Sequence, residues 1–327
     1  MAPLLSVRGL VKRFPLRRGF FGRSVGELRA VDGVDLELAP GEALGLVGES
    51  GCGKTTLGRC VLRLLEPDAG EVRILGQDIR ALQGRALRRF RRHAQMIFQD
   101  PYGSLNPRLS VGEAIAEPIR VHGLADREGA WQRAGDWLER VGLSRADRER
   151  WPHQFSGGQR QRIGIARALA VEPRLLICDE PVSALDVSVQ AQVLNLLADL
   201  KRELGVGLLF ISHDLAVVAH LCERIAVMYL GEIVEHGDRD QVLRRPLHPY
   251  TQLLLAAVPG SGRRAPAVAG DPPSPLQPSS AERYAHRFPD HAAAFTDGEI
   301  AWREAAPGHW VRCARLEVLQ ALAERAA

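Results

Sequence analysis

Ala43-Leu44-Gly45-Leu46-Val47 runs without a polar break into Gly48-Glu49-Ser50-Gly51-Cys52-Gly53-Lys54-Thr55-Thr56. A short apolar run, a glycine-rich turn and a helical pattern from Thr55 to Leu65 give the order strand, loop, helix of α/β nucleotide folds. The spacing fits the phosphate-loop pattern, in which glycines let successive backbone amides converge on phosphate oxygens and the helix N-terminus adds partial positive charge. Gly48 through Thr56 are therefore the expected nucleotide-binding residues. Lys54 is expected to reach the β- and γ-phosphates. The Thr55 hydroxyl is expected on Mg²⁺, which neutralises charge as the γ-phosphoryl leaves. Alone, the stretch predicts an NTPase and no more.

Outward from this loop, Met96–Phe98, Leu175–Cys178 and Leu208–Ile211 read as further buried strands. Residues 110 to 170 carry helical periodicity without strand signals, which predicts a helical subdomain, at about 100–170, inserted into the sheet. Helices follow at about 187–204 and 214–222. On the N-terminal side Val34, Leu36 and Leu38 alternate with Asp35 and Glu37, so the first forty residues read as antiparallel β-structure. Between Pro15 and Leu28 a Gly- and Arg-rich insertion reads as a loop. Six prolines in the 22 residues from Pro259 to Ser280 exclude a helix or central strand and predict an extended linker. The expected fold class is α/β, with a P-loop NTPase (RecA-like) core, an antiparallel β subdomain, an inserted α-helical subdomain and a small C-terminal extension. The expected division is a nucleotide-binding domain over 1–257, then linker and extension over 258–327. On composition alone residues 259 to 327 read as a linker and a small appendage.

Leu175-Leu176-Ile177-Cys178-Asp179-Glu180 is an apolar strand ending in two carboxylates. Successive strand residues point to different sides, so Asp179 can join a metal shell while Glu180 faces a water. A carboxylate beside a γ-phosphate can orient or deprotonate that water, which makes Glu180 the candidate catalytic residue. Ser156-Gly157-Gly158-Gln159-Arg160 opens a helical segment, and its hydroxyl and free amides form a second anion site. The chain already has one at Gly48–Thr55, so a second phosphate site calls for a second ATP.

Composition bounds the alternatives. The 327 residues are 46% hydrophobic and 25% charged, with 43 Lys and Arg against 39 Asp and Glu and a net charge of +4, which implies no nucleic-acid partner. The run Arg80 to Arg92 holds six arginines, but Ile79, Leu82, Leu87 and Phe90 are interleaved with them, as on a solvated amphipathic helix. The start has no apolar h-region, and no stretch reaches the ~18 apolar residues that span a bilayer, so a cytoplasmic or membrane-peripheral chain is expected. Cys52, Cys60, Cys178, Cys222 and Cys313 lack paired spacing and read as isolated thiols.

The ordered set of motifs resembles the ABC ATPase family through residues 5 to 257. Ser156 to Arg160 is similar to the ABC signature, which in that family reaches across a head-to-tail dimer to the γ-phosphate held by the partner's phosphate loop. Gln99, in Met96-Ile97-Phe98-Gln99-Asp100, resembles the family's Q-loop, which implies contact with metal and attacking water. Ser183-Ala184-Leu185-Asp186 resembles the D-loop. His213, in Ile211-Ser212-His213-Asp214, resembles the switch histidine, which implies γ-phosphate contact. Phe14, in Val11-Lys12-Arg13-Phe14, resembles the aromatic residue that stacks on adenine, as a π-face allows. The implied site set is Glu180, His213 and Gln99 for catalysis; Phe14, Gly48 to Thr56, Ser156 to Gln159 and Asp186 for nucleotide; and Thr55, Gln99 and Asp179 for metal. A soluble ABC ATPase uncoupled from transport is the alternative, but translation factors of this type carry tandem cassettes and chromosome-organising ones carry long coiled coils.

Arg245-Pro246-Leu247-His248-Pro249-Tyr250-Thr251-Gln252-Leu253-Leu254, Gly270-Asp271-Pro272-Pro273-Ser274-Pro275 and Pro307-Gly308-His309-Trp310-Val311 resemble the C-terminal segment of dipeptide and oligopeptide permease ATP-binding subunits. This resemblance implies a second ATPase subunit, two transmembrane permease subunits, an extracytoplasmic solute-binding protein, and a place on the cytoplasmic face of a bacterial inner membrane. Many such subunits hold an iron–sulfur cluster through four cysteines in the extension. Laid on that pattern, the ligand positions fall at Glu282, Phe288, Phe295 and Cys313, so no cluster is expected. His286 and His291 read as surface histidines.

Overall fold

The computed structural model describes residues 2–18, 23–258, 260–270 and 280–326. In chain order its first elements are β1 (Leu5–Arg18), β2 (Arg23–Leu38), β3 (Ala43–Val47), α1 (Lys54–Val61), β4 (Ala69–Ile74), β5 (Gln77–Asp78), α2 (Gly84–Phe90) and β6 (Ala94–Ile97). Then come α3 (Pro101–Ser104), α4 (Val111–Val121), α5 (Arg127–Arg140), α6 (Gly157–Leu169), β7 (Leu175–Asp179), α7 (Val187–Leu204), β8 (Gly207–Ser212) and α8 (Leu215–Leu221). The last are β9 (Arg224–Tyr229), β10 (Glu232–Asp238), α9 (Arg239–Arg244), α10 (Pro249–Ala256), α11 (Ser280–Arg287), α12 (Ala293–Thr296), β11 (Ala301–Ala306), β12 (His309–Cys313) and α13 (Leu316–Ala326). The fold is mixed α/β.

The chain divides into two compact units. The first comprises residues 2–6, 37–43 and 72–211. Its strands β6, β7 and β8 are parallel neighbours, with Ile97 opposite Cys178 and Asp179 opposite Ile211. Every residue of β7 and β8 is buried, as continuous apolar runs in a parallel sheet require. Between β6 and β7 lie α3 to α6 with two short 3₁₀ turns and no strand, the expected helical subdomain. Ser110 and Asp126 cap α4 and α5 by accepting from the Glu113 and Gly129 amides.

The second unit comprises the described residues among 7–36, 44–71 and 212–326. Here β3 pairs in parallel with β9, and β9 continues antiparallel through β10, β12 and β11. A Cβ on Gly45 would fall 2.1 Å from Val218 Cγ1, so glycine at the middle of β3 is what lets α8 lie close over it. Strands β2, β1 and the start of β4 are hydrogen-bonded neighbours.

Two expectations are corrected here. The segment between Pro15 and Leu28 is not simply a loop: β1 continues to Arg18 and β2 begins at Arg23, with residues 19–22 outside the described residues. A proline has no amide for a ladder bond but interrupts only one position of a strand. The chain after residue 257 is not simply a linker and appendage: β11 and β12 form a hairpin that adds to β10, with Glu235 opposite Val311 and His236 opposite Trp310.

Candidate functional site

In the second unit, β3 delivers the chain into the loop Gly48 to Thr55. A Cβ on Gly48 would lie 2.2 Å from the Met228 carbonyl oxygen and one on Gly53 2.0 Å from that of Ala30, so the loop is pressed against backbone that cannot yield. Lys54, the first residue of α1, is 4% exposed, and its ammonium donates to the carbonyls of Gly48 (2.7 Å) and Glu49 (2.9 Å). The α1 N-terminus has no acidic residue in its first turn and no side-chain cap, which leaves a positive helix end. Cys52 is buried inside the loop, and burial holds its thiol above the usual range against the opposing pull of Lys54. The Gly231 amide donates to Cys52 O (2.9 Å), and the Glu49 amide donates to the Tyr250 hydroxyl (2.8 Å). Thr55 and Thr56 are half-buried, and His213 is exposed just beyond β8. Phe14 is half-buried on β1 with the Lys12 ammonium 5.6 Å from its ring centre.

In the first unit, β7 ends in Asp179 and Glu180 follows it, 1% and 9% exposed. Glu180 has φ 45°, a left-handed conformation uncommon for a residue with a Cβ. Its amide donates to Ile211 O (2.9 Å), and its carbonyl accepts from the Ser183 hydroxyl (3.1 Å). The Gln99 amide donates to Glu180 Oε2 at 3.1 Å, joining two residues 81 apart in sequence. The Asp179 carboxylate and the Gln99 amide oxygen are hard oxygen donors of the kind that suits Mg²⁺.

Ser156 caps α6 in a reciprocal box: its hydroxyl accepts from the Gln159 amide (3.3 Å) while Gln159 Oε1 accepts from the Ser156 amide (2.9 Å). Gly158 is buried, and a Cβ there would sit 2.3 Å from Val189 Cγ1, so the signature lies on the start of α7. A Cβ on Gly157 would meet Leu185 at 3.5 Å, which brings signature and D-loop together. Asp186 is the exposed N-cap of α7 and makes no side-chain cap bond.

Three further residues carry roles that the sequence alone does not assign. Gln190 donates to the carbonyls of Val182 (3.1 Å) and Leu185 (3.0 Å), fixing the D-loop. Buried Arg160 donates to Pro152 O (2.7 Å) and lies 3.9 Å from the centre of the Tyr102 ring, tying the signature helix to the turn after Gln99. Tyr250, inside the His248-Pro249-Tyr250 stretch, touches the phosphate loop. Nothing in local periodicity points to any of these partners.

The iron–sulfur positions do not fit a cluster. Phe288 and Phe295 are fully buried, their rings 6.4 and 5.3 Å from His248, and Cys313 is a buried thiol held up at about 11 by burial. Glu282 is exposed on α11, and a carboxylate is not the thiolate a cluster calls for. Among the described residues no three His, Cys, Asp or Glu side chains are grouped to hold a metal. His286 is exposed as expected, but His291 is 5% exposed, a correction to the surface reading. It follows Pro289 in the 3₁₀ turn between α11 and α12, where its amide donates to Phe288 O (2.9 Å) and fixes it inside the extension's core.

Comparison with known proteins bears on the same segments. Residues 31–183 match the family model described as ABC transporter, and residues 234–293 match the model described as oligopeptide/dipeptide transporter, C-terminal region. A putative peptide import ATP-binding protein of Brucella abortus is 48% identical over 317 residues, covering 96% of this chain and 98% of that protein. The chain belongs to the ABC transporter ATP-binding family. Another member, the glutathione import ATP-binding protein GsiA of Salmonella typhimurium, is 57% identical over 257 residues, 79% of this chain. The match covers 41% of that relative's length, so the chain spans about two fifths of it. Among solved structures, the ABC cassette MJ0796, a dimer in a post-hydrolysis state bound to ADP and Pi, superposes with TM-score 0.64 at 28% identity. It covers 72% of this chain and 98% of that one. No helix among the described residues of this ABC protein is long and apolar enough to cross a membrane.

Proposed function

We propose that this chain is the ATP-binding and ATP-hydrolysing subunit of an importer for di- or oligopeptides or a related small solute. The observation that carries the hydrolytic reading is the 3.1 Å hydrogen bond from Gln99 to Glu180, at the end of a buried strand that also bears Asp179. The importer reading is supported by the C-terminal region match and by the near full-length likeness to a relative named for peptide import.

In this reading the amides of Gly48 to Thr56 and the Lys54 ammonium hold the phosphates, Phe14 stacks on adenine, and His213 contacts the γ-phosphate. The Thr55 hydroxyl, the Asp179 carboxylate and the Gln99 amide oxygen are the protein ligands for Mg²⁺, which when bound spreads the charge on the transferring phosphoryl group. Gln99 orients the Glu180 carboxylate, which accepts a proton from the attacking water. Ser156, Gly157, Gly158 and Gln159, with Asp186, act on the ATP held by a second cassette in a head-to-tail dimer. The remaining partners are two transmembrane permeases and, through them, an extracytoplasmic solute-binding protein, with this subunit peripheral on the cytoplasmic face of the bacterial inner membrane. No nucleic acid takes part, and the extension carries no iron–sulfur cluster.

The test is to purify the tagged full-length chain from its own membranes and follow ATP hydrolysis with and without binding protein loaded with dipeptide, oligopeptide or glutathione. The reading expects stoichiometric integral membrane partners and a solute-stimulated rate. A chain recovered without membrane proteins, and with one rate under all conditions, would make it a soluble ABC ATPase.

A further inference from the structure

Tyr250 takes no part in the chemistry proposed above, yet its hydroxyl accepts the backbone N–H of Glu49, the second residue of the phosphate loop, at 2.8 Å. We propose that Tyr250 is a positioning residue: its phenol pins the entry of the phosphate loop, and the aromatic core of the C-terminal extension pins Tyr250.

The support is built in layers. Tyr250 is 1% exposed and stacks on Tyr229 with ring centres 4.0 Å apart and planes at 26°. Tyr229 ends β9 directly after Met228, whose carbonyl oxygen abuts Gly48, so ring and strand hold the loop from adjoining points. Tyr229 also meets Tyr284 and Phe288, at 5.8 and 6.4 Å between ring centres. Burial keeps the Tyr250 phenol protonated by raising it far above its ordinary range, so it meets the amide as a neutral oxygen.

The start of α10 aims the ring. His248 Nδ1 accepts from the Tyr250 amide (3.2 Å), and Pro249 occupies the first helical position, where its fixed φ suits the turn. The amides of Leu247 and His248 both donate to buried Glu235 (2.9 Å each), and His309 of β12 contacts the same carboxylate at 2.8 Å. Thus His248 caps the helix, Pro249 sets its first turn, and Tyr250 reaches the loop. Packing alone needs no hydroxyl here, because phenylalanine would fill the same stack.

The inference rests on residues 48–55 being the phosphate loop, and the experiment separates the two ideas. Full-length Tyr250→Phe, Tyr284→Phe and Lys54→Ala are compared with wild type for equilibrium ATP binding, KM and kcat for ATP, thermal unfolding, and amide hydrogen exchange of the segment 44–57. Tyr284 is the control: it lies in the same stack, but its hydroxyl donates to Glu232 and not to the loop. Tyr250→Phe is expected to weaken ATP binding and raise KM about fivefold, the size of one hydrogen bond, with kcat within about twofold and faster exchange in 44–57. Tyr284→Phe is expected to lower the melting temperature while ATP affinity and loop exchange stay within about twofold of wild type. Wild-type ATP affinity and loop exchange in Tyr250→Phe, alongside lost binding in Lys54→Ala, would overturn the positioning role. Equal weakening by Tyr284→Phe would reduce Tyr250 to general packing and overturn it as well. Unchanged binding in Lys54→Ala would instead overturn the phosphate-loop assignment.

Discussion

Glu180→Gln replaces one carboxylate oxygen by an amide nitrogen and leaves the shape of the side chain unchanged. The remaining oxygen can still accept the 3.1 Å bond from Gln99. Its acceptor becomes neutral, which weakens that bond by about 1 kcal/mol. The backbone at φ 45° is held through main-chain atoms, by the amide bond to Ile211 O and the carbonyl bond from Ser183, neither of which the substitution touches. A loss near 1 kcal/mol lowers the melting temperature of a chain this size by about 2 °C. The chemical step is a different matter, since the amide accepts no proton. General-base catalysis is worth about 10²- to 10⁴-fold, or about 3–5 kcal/mol in the barrier. Phosphate release from the assembled transporter at saturating Mg-ATP should therefore fall at least a hundredfold, roughly the lower end of that range. Nucleotide affinity measured by equilibrium binding should stay within about threefold. A variant that keeps more than about a tenth of the rate removes Glu180 from the base role. A variant whose affinity falls in step with its rate shows a structural defect instead.

Ser156→Ala removes the hydroxyl that caps α6, at a cost of about 1 kcal/mol to the helix start, and should spare ATP binding by the isolated chain while cutting turnover in the complex. Full activity in a strictly monomeric preparation would refute the shared site. His248 is pushed down to about 3 from 6.5 by burial, so as pH falls the unfolded chain takes up a proton before the folded one. Stability is thus complete above pH 6.5 and drains away toward pH 3, with about 2 kcal/mol gone by pH 5. Urea unfolding at pH 7.5 and 5 should show this slope flattened in His248→Asn, and an equal slope in both proteins refutes the assignment. Purified protein should be colourless, without stoichiometric iron or sulfide, and a brown preparation that loses iron on Cys313→Ser would overturn the reading of Phe288 and Phe295.

The parts of the fold legible in the chain were those whose cause is local. Ala43 to Val47 and Leu175 to Cys178 are apolar without a break because both faces of a parallel strand are covered, and that needs no partner to be seen. The glycines of the phosphate loop and the Ser156 cap with Gln159 three residues on are equally local. What stayed hidden depends on distant partners. Pro15 and the surrounding arginines mask the period of β1 and β2, whose ladder is what makes them strands. Glu232 and Glu235 look like surface residues until Tyr284, Arg312 and His309 are brought to them. His291 is polar by type and buried by its neighbours. Tyr250 reads as one aromatic among several because its partner, the Glu49 amide, lies 201 residues away.

The pairing of β10 with β12 bears on how such subunits can be recombined. Glu232 and Glu235 lie on β10, yet side chains that contact them come from beyond residue 257: Tyr284, Arg283 and Arg312 for the first, and His309 for the second, whose carboxylate also accepts the amides of Leu247 and His248. Cutting at residue 257 would take these side-chain partners from two buried carboxylates and bare a sheet edge that can recruit other chains. A graft of another subunit's extension onto this cassette would have to bring matching residues at 232 and 235 with it. A chimera is therefore expected to keep β10 and the extension together, with its seam before β10 and not at the proline-rich stretch.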